Sequence, residues 1–348
     1  MLLEVLDDAP ATPAMPPPAA MLQLLFGKHL TYCVSAVARL GVPDQMSEQP
    51  TDVALLAAQA GVQPSLLYRV MRALAGVGVF EEGPGRTFRL TETGRLLRTD
   101  TPGSFRYLAI QLGDSWSTRS WENFTETLRT GTDSVSLTFG KNVFDLFADV
   151  PEDAETFNRS MTGLSAFLTE PVLNAYDFNG IERLADIGGG HGRLLAAVLD
   201  RNAHLQGVVY DLPEVVAGGP GQPHLTGCKD RIEFAAGSFF DRVPGGCDAY
   251  MMKFILHDWS DEHCRRILRC VRQQLPPEGR LIVIEQVVQE GGAPSPAKLL
   301  DIEMLAMTAG GRERTEAEFS QLFASAGFKL TRTVSTESPV SILEARPC

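Results

Sequence analysis

From Arg183 onward, short apolar runs alternate with segments of helical spacing, and this alternation constrains the fold more than any other feature of the chain. The runs RLADIGG, LQGVVYDLP, RIEFAAG, CDAYMMKFIL and RLIVIEQVV alternate with LLAAVLD, DEHCRRILRCVRQQL and TEAEFSQLFASAG. Strands joined through helices require crossover connections and therefore a largely parallel sheet. The expected fold is α/β: a doubly wound domain over residues 171–348, with its ligand at the carboxyl ends of the strands.

Upstream the texture is helical. Residues 1–19, rich in Pro and Ala, read as a flexible tail, with order beginning near Met21. Leu22, Leu25, Phe26, Leu30, Val34, Val37 and Leu40 recur at three and four spacings, the pattern of a helix with one buried stripe. TDVALLAAQAGVQPSLLYRVMRALAGVGVFEE reads as helix, turn, helix, with Thr51 and Ser65 as N-cap residues and Gly61 and Gly76 near the helix ends. A hairpin around Gly83-Pro84-Gly85 follows. Together these predict a mainly helical, winged-helix-like domain over residues 20–170. Over residues 51–100, six arginines against five acids give only one net positive charge, a thin footprint for DNA. Between 102 and 180, Trp116, Trp121, Phe124, Phe139, Phe144, Phe147, Phe157 and Phe167 are expected mostly in the core.

The formal charge of −12 repels polyanions, so nucleic acid is not expected as a partner. No apolar stretch reaches the roughly 20 residues of a membrane helix, and the N-terminal stretch lacks the pattern of a signal peptide. Cys33, Cys228, Cys247, Cys264, Cys270 and Cys348 are scattered without metal or disulfide spacing, which suits reduced thiols in the cytoplasm.

Within the α/β part, LADIGGGHGR turns from strand to helix through Gly188, Gly190 and Gly192. The third glycine of the dinucleotide fingerprint is missing, since Arg193 stands there, and so is the P-loop lysine. An acid at the strand end, Asp186, repels a pyrophosphate but suits a ligand with an ammonium group. Asp211, closing the next strand 19 residues past Gly192, can accept from both hydroxyls of a ribose. A nucleoside with an amino-acid tail and no phosphates is S-adenosylmethionine. Methyl transfer to a phenol, whose pKa is near 10, calls for a base. His257, just past the apolar run Ala249 to Leu256, is the candidate; His263 reads as solvent-facing.

HDWSDEHC, with FNRSM upstream, VVYDLPEV between and GGRERTEAEF downstream, resembles the plant caffeate and isoflavone O-methyltransferases. It is similar still more to their bacterial relatives that tailor aromatic polyketides and mitomycin. The resemblance runs from about residue 20 to the end. It implies a Rossmann-like methyltransferase domain, an N-terminal dimerisation domain that forms a homodimer, no metal, and S-adenosylhomocysteine as product. It places the general base on His257 and its flanking acids on Glu285 and Glu313, which by pattern alone are ordinary charged residues. It places cofactor contacts on Asp186, Gly188, Gly190, Asp211, Leu212, Phe239 and Lys253, and on Ser238 where the family usually has Asp for the adenine amino group. Met161, Asp258, Trp259, Met304 and Met307 fall where the family binds its acceptor. The expected activity is methylation of an aromatic hydroxyl on a small molecule. A non-methylating hydroxylase or decarboxylase on the same fold, and a winged-helix regulator, are the other readings.

Overall fold

The computed structural model describes residues 16–348; most of the expected tail lies outside the described residues. The first helix, Pro17–Arg39, begins four residues ahead of Met21. Its prolines occupy the first turn, where a missing N–H costs nothing because no helical carbonyl is there to receive it.

Contacts divide the chain into two compact units, Met1–Thr99 and Asp100–Cys348. The boundary drawn from sequence at 170/171 falls within a single helix, Pro151–Ala175. Leu168, Val172 and Leu173 of that helix pack into the core beneath the large sheet. Periodicity marks where a helix lies but not which core it joins.

In the first unit, helices Val53–Ala60 and Pro64–Ala75 lie in sequence between the first and second strands of a small antiparallel sheet of β1 (Thr51–Asp52), β2 (Phe80–Gly83) and β3 (Thr87–Leu90), in the order β1-β3-β2. The turn at Gly83-Pro84-Gly85 forms as expected, with Gly85 at φ +70°. Two caps differ from the sequence reading. Thr51 pairs with Phe88 in the sheet, so Asp52 caps the helix and accepts from Ala54 N at 2.6 Å. The next helix starts on Pro64, one residue before Ser65. The stripe of the first helix is buried only at its end: Val37 and Ala38 are inside, whereas Met21, Leu22, Leu24, Leu25 and Phe26 are exposed in the single chain.

The second unit holds a seven-stranded sheet of β4 (Arg183–Ile187), β5 (Gln206–Asp211), β6 (Ile232–Ala236), β7 (Ala249–Lys253), β8 (Arg280–Gln286), β9 (Phe328–Ser335) and β10 (Val340–Pro347). Its order is β6-β5-β4-β7-β8-β10-β9. The first five strands are parallel, and β10 runs antiparallel to both β8 and β9. This C-terminal pair lies outside the alternation read from the sequence, because β9 is an edge strand whose residues are mostly half-buried or exposed. Successive residues face opposite sides: Leu281 and Val283 join one core, Ile282 and Ile284 the other. The strand order reverses between β4 and β7, and a ligand crevice opens outside the carboxyl ends of two such strands.

Trp116 and Phe147 are buried, as expected of aromatic residues in the helical stretch, but Trp121, Phe144 and Phe167 are exposed. Among the described residues no helix is long and apolar enough to cross a membrane, and all six cysteines are free.

Candidate active site

At the end of β4 the backbone turns through Gly188 (φ +69°) and Gly190 (φ +58°), left-handed conformations that a side chain would strain. The two glycines answer different needs. A Cβ on Gly188 would stand 2.3 Å from Ile255 Cδ1, so this position lets the loop after β7 close in. A Cβ on Gly190 would meet nothing within 4 Å, leaving bare backbone open to a ligand. Gly190 N donates to Asp211 Oδ2 at 2.9 Å, and Leu212 N donates to Oδ1 at 2.7 Å. These bonds aim the Asp211 carboxylate at the glycine loop. Burial nevertheless raises its pKa, outweighing the two backbone donors.

Asp186 is buried beneath the same loop, its carboxyl pushed up to about 7 by burial, with the Lys253 charge opposing and Asp211 reinforcing the rise. Lys253, at the end of β7, is lowered by burial against the pull of Asp186 and Glu285. A buried carboxylate next to open glycine backbone fits a ligand carrying an ammonium group. Leu212 is exposed beside Asp211. Ser238 Oγ accepts from Phe240 N at 3.2 Å, which leaves its hydroxyl proton free to donate. Phe239 reaches within 3.9 Å of the Cβ position at Gly188, so the pair lies at the glycine loop.

His257 follows β7 in a short 3-10 turn, Leu256–Asp258, and is buried. Its Nδ1 lies 2.7 Å from Glu313 Oε1. With a carboxylate as acceptor the proton resides on Nδ1, which leaves Nε2 as the ring nitrogen able to exchange a proton. Asp258 Oδ1 is 3.4 Å from that Nε2, and burial raises the Asp258 carboxyl. Burial pulls the imidazole down, but Asp258, Glu285 and Glu313 together outweigh it and carry His257 to about 10. Glu285, fully buried near the end of β8, is pushed to about 7 by burial. Its Oε1 accepts from Ile255 N at 3.1 Å and Leu256 N at 2.9 Å. Phe254 just ahead has φ +53°, an outlier for a bulky residue that costs about 1–3 kcal/mol. It is held by a bond from its N to Ile284 O and by stacking on the His257 ring at 5.0 Å.

Donor atoms of His257, Glu285 and Glu313 lie within 4.8 Å of one another, close enough to hold a metal ion. Their bonds favour proton handling instead. His257 Nδ1 and Glu313 Oε1 are spent on each other, and Glu285 Oε1 on two backbone N–H groups. Among the described residues, only Oε2 of each glutamate is left without a partner.

Two residues escaped the sequence reading. Arg314 is fully buried; its guanidinium donates to Leu256 O at 2.9 Å, Trp259 O at 3.0 Å and Asp261 Oδ1 at 2.7 Å. With Arg312 N donating to His257 O at 2.8 Å and Glu313 holding the ring, residues 312–314 clamp the whole base-bearing turn. Asp301 holds the clamp in turn, accepting from Glu313 N at 2.9 Å. Arg314 is one of 31 basic side chains in the sequence, and only its burial sets it apart.

Of the acceptor residues, Trp259 lies edge-on to Phe240 at 4.8 Å and is stacked by Phe144 at 6.4 Å. Met304 and Met161 are half-buried. Met307 is buried in an apolar cluster with Trp116, Phe147 and Ala306. Exposed His263 is hydrogen-bonded to Ser260.

Residues 121–329 match the model of an O-methyltransferase domain, and residues 22–100 that of an O-methyltransferase dimerisation domain. The chain is 36% identical to a phenazine O-methyltransferase of Lysobacter antibioticus, over 96% of this chain and 97% of that protein. It is 34% identical to a mitomycin biosynthesis 6-O-methyltransferase of Streptomyces lavendulae, with 93% of each covered. Among solved structures it resembles CalO1, a methyltransferase of calicheamicin biosynthesis bound to S-adenosylhomocysteine. The TM-score is 0.86 at 33% identity, covering 96% of this chain and all of that one.

Proposed function

The chain belongs to the S-adenosylmethionine-dependent O-methyltransferases of secondary metabolism, and we propose that it methylates a hydroxyl on a small aromatic acceptor with His257 as general base. The observation that carries this reading is the buried His257–Glu313 pair at 2.7 Å, one strand from the open glycine loop. Asp186, Gly188, Gly190, Asp211, Leu212, Ser238, Phe239 and Lys253 would hold the cofactor, which supplies a methyl group activated on a sulfonium.

The remaining steps belong to the protein. Glu313 fixes the Nδ1–H tautomer, so Nε2 meets the acceptor hydroxyl and takes its proton. Surrounding carboxylates favour the imidazolium at rest. A positive charge entering the site opposes that form and returns His257 to its proton-accepting state. Glu285 brackets the site by fixing the backbone at Ile255 and Leu256.

The exposed apolar face of Pro17–Arg39, within the matched dimerisation region, supports a homodimer. Six free thiols and the dependence on S-adenosylmethionine support a cytoplasmic enzyme. The net charge of −12 speaks against nucleic acid as a partner.

Isothermal titration calorimetry with S-adenosylmethionine and S-adenosylhomocysteine, followed by mass spectrometry of phenolic acceptors, tests the reading. Micromolar binding of both ligands and a gain of one methyl group are expected. Binding of neither, or a gain of one oxygen in place of a methyl, would overturn it.

A further inference from the structure

Helix Pro296–Met307 carries Met304 and Met307, and Glu303, immediately before Met304, lies one turn before Met307 on the same face. Met307 packs with Trp116, Phe147 and Ala306, and Phe157 joins from the long helix Pro151–Ala175. One polar group without a partner belongs to this cluster, and two more lie one helical turn from its members. Trp116 Nε1 and Ser160 Oγ, both on side chains more than nine-tenths buried, have no hydrogen-bond partner among the described residues. Ser160 is one turn beyond Phe157. Glu303 is half-buried, and no hydrogen bond or ion pair engages it among the described residues. Its carboxyl is raised to about 7 by burial alone, with no charged neighbour contributing.

Buried polar groups in native proteins are almost always satisfied, and a carboxylate in an apolar setting is costly until a partner reaches it. The cluster is aromatic and joined to the catalytic turn, because Phe144, next to cluster member Val143, stacks on Trp259, two residues beyond His257. A ring seated there would bring its own polar groups. Resting on the O-methyltransferase reading above, we propose that Glu303 determines acceptor specificity by binding a protonated amine, or another nitrogen-borne donor, carried by the aromatic acceptor away from its methylated hydroxyl. A carboxylate and a cationic nitrogen make a charge-assisted bond about twice as strong as a neutral one. Acceptors lacking the nitrogen leave the carboxylate buried and unpaired, which is how such sites discriminate.

The test uses the full chain saturated with S-adenosylhomocysteine and two matched probe pairs: tyramine against 4-propylphenol, and 3-(aminomethyl)phenol against 3-ethylphenol. Calorimetry should show the aminated member of a pair binding about ten-fold tighter than its apolar isostere. In Glu303→Gln that preference should fall to near parity, with S-adenosylhomocysteine affinity unchanged. No amine preference in the wild type, or one preserved in Glu303→Gln, overturns the proposal while leaving the methyltransferase reading intact. Weaker self-association of Glu303→Gln by sedimentation, with acceptor binding unaltered, overturns it in favour of a contact between copies. Failure of S-adenosylhomocysteine to bind either protein brings down both the reading and the inference.

Discussion

In the turn around His257 the carbonyl oxygens of Leu256, His257 and Trp259 are all engaged by residues 312–314. At Trp116, Ser160 and Glu303, by contrast, polar groups have no partner among the described residues. The turn performs chemistry that is the same for every acceptor, so its geometry can be built in advance. On the proposed reading the aromatic cluster meets what the acceptor carries, and a ligand would complete part of its hydrogen bonding. Preorganisation at the base and incompleteness at the cluster are thus complementary consequences of one site doing general chemistry on a particular molecule.

The contrast breaks most readily at the base. His257→Ala should lower kcat by about a hundred- to ten-thousand-fold in a methyl-transfer assay, with S-adenosylhomocysteine affinity held within a few-fold. Near-normal turnover would remove His257 as the base. The same variant sharpens the electrostatics. Because the folded imidazole is raised to about 10 from an ordinary 6.5, its stabilising contribution is whole below pH 6.5 and is lost as pH climbs through 10. The urea-unfolding gap between wild type and His257→Ala should therefore shrink over that window; a gap that widens with pH would contradict the carboxylate cage.

Arg314→Met tests whether the clamp is preorganisation or only scaffolding. Leaving the carbonyls of Leu256 and Trp259 with only the weak Cys264 thiol donor should cost about 3 kcal/mol of stability in urea unfolding. In protein that remains folded, kcat should fall while acceptor KM holds, with partial rescue in Arg314→Lys. Equal losses in kcat and KM would assign Arg314 to scaffolding. The smallest effect is expected at the cofactor. Ser238→Asp should tighten S-adenosylhomocysteine binding by about 1 kcal/mol, roughly five-fold, if the neutral hydroxyl now stands in for a carboxylate. Unchanged affinity would show that another group serves the adenine.

Much of this was legible in the linear chain. Asp186, the glycine loop and Asp211 share a strand-to-helix turn and a neighbouring strand end, so local spacing and the rules of parallel sheets suffice to assemble them. His257 was legible as a candidate from its place after an apolar run, and its proposed role as base came from the resemblance. The clamp was not legible, because Arg314 meets Leu256 across 58 residues and nothing in its immediate neighbours distinguishes it from a surface arginine. Nor was Glu303, whose significance lies in having no partner, a property of three-dimensional surroundings alone.

By itself, then, the sequence determined the α/β class, the glycine loop at a strand end and the absence of a dinucleotide fingerprint, and offered a candidate base, since these depend on short-range periodicity and on residue chemistry at strand ends. Tertiary structure alone decided that Gly188 makes room for Ile255 while Gly190 stays open, that one arginine secures the catalytic turn, and that the helix through residue 170 packs beneath the sheet. Burial and long-range hydrogen bonding arise only when distant segments meet, and no local pattern encodes them.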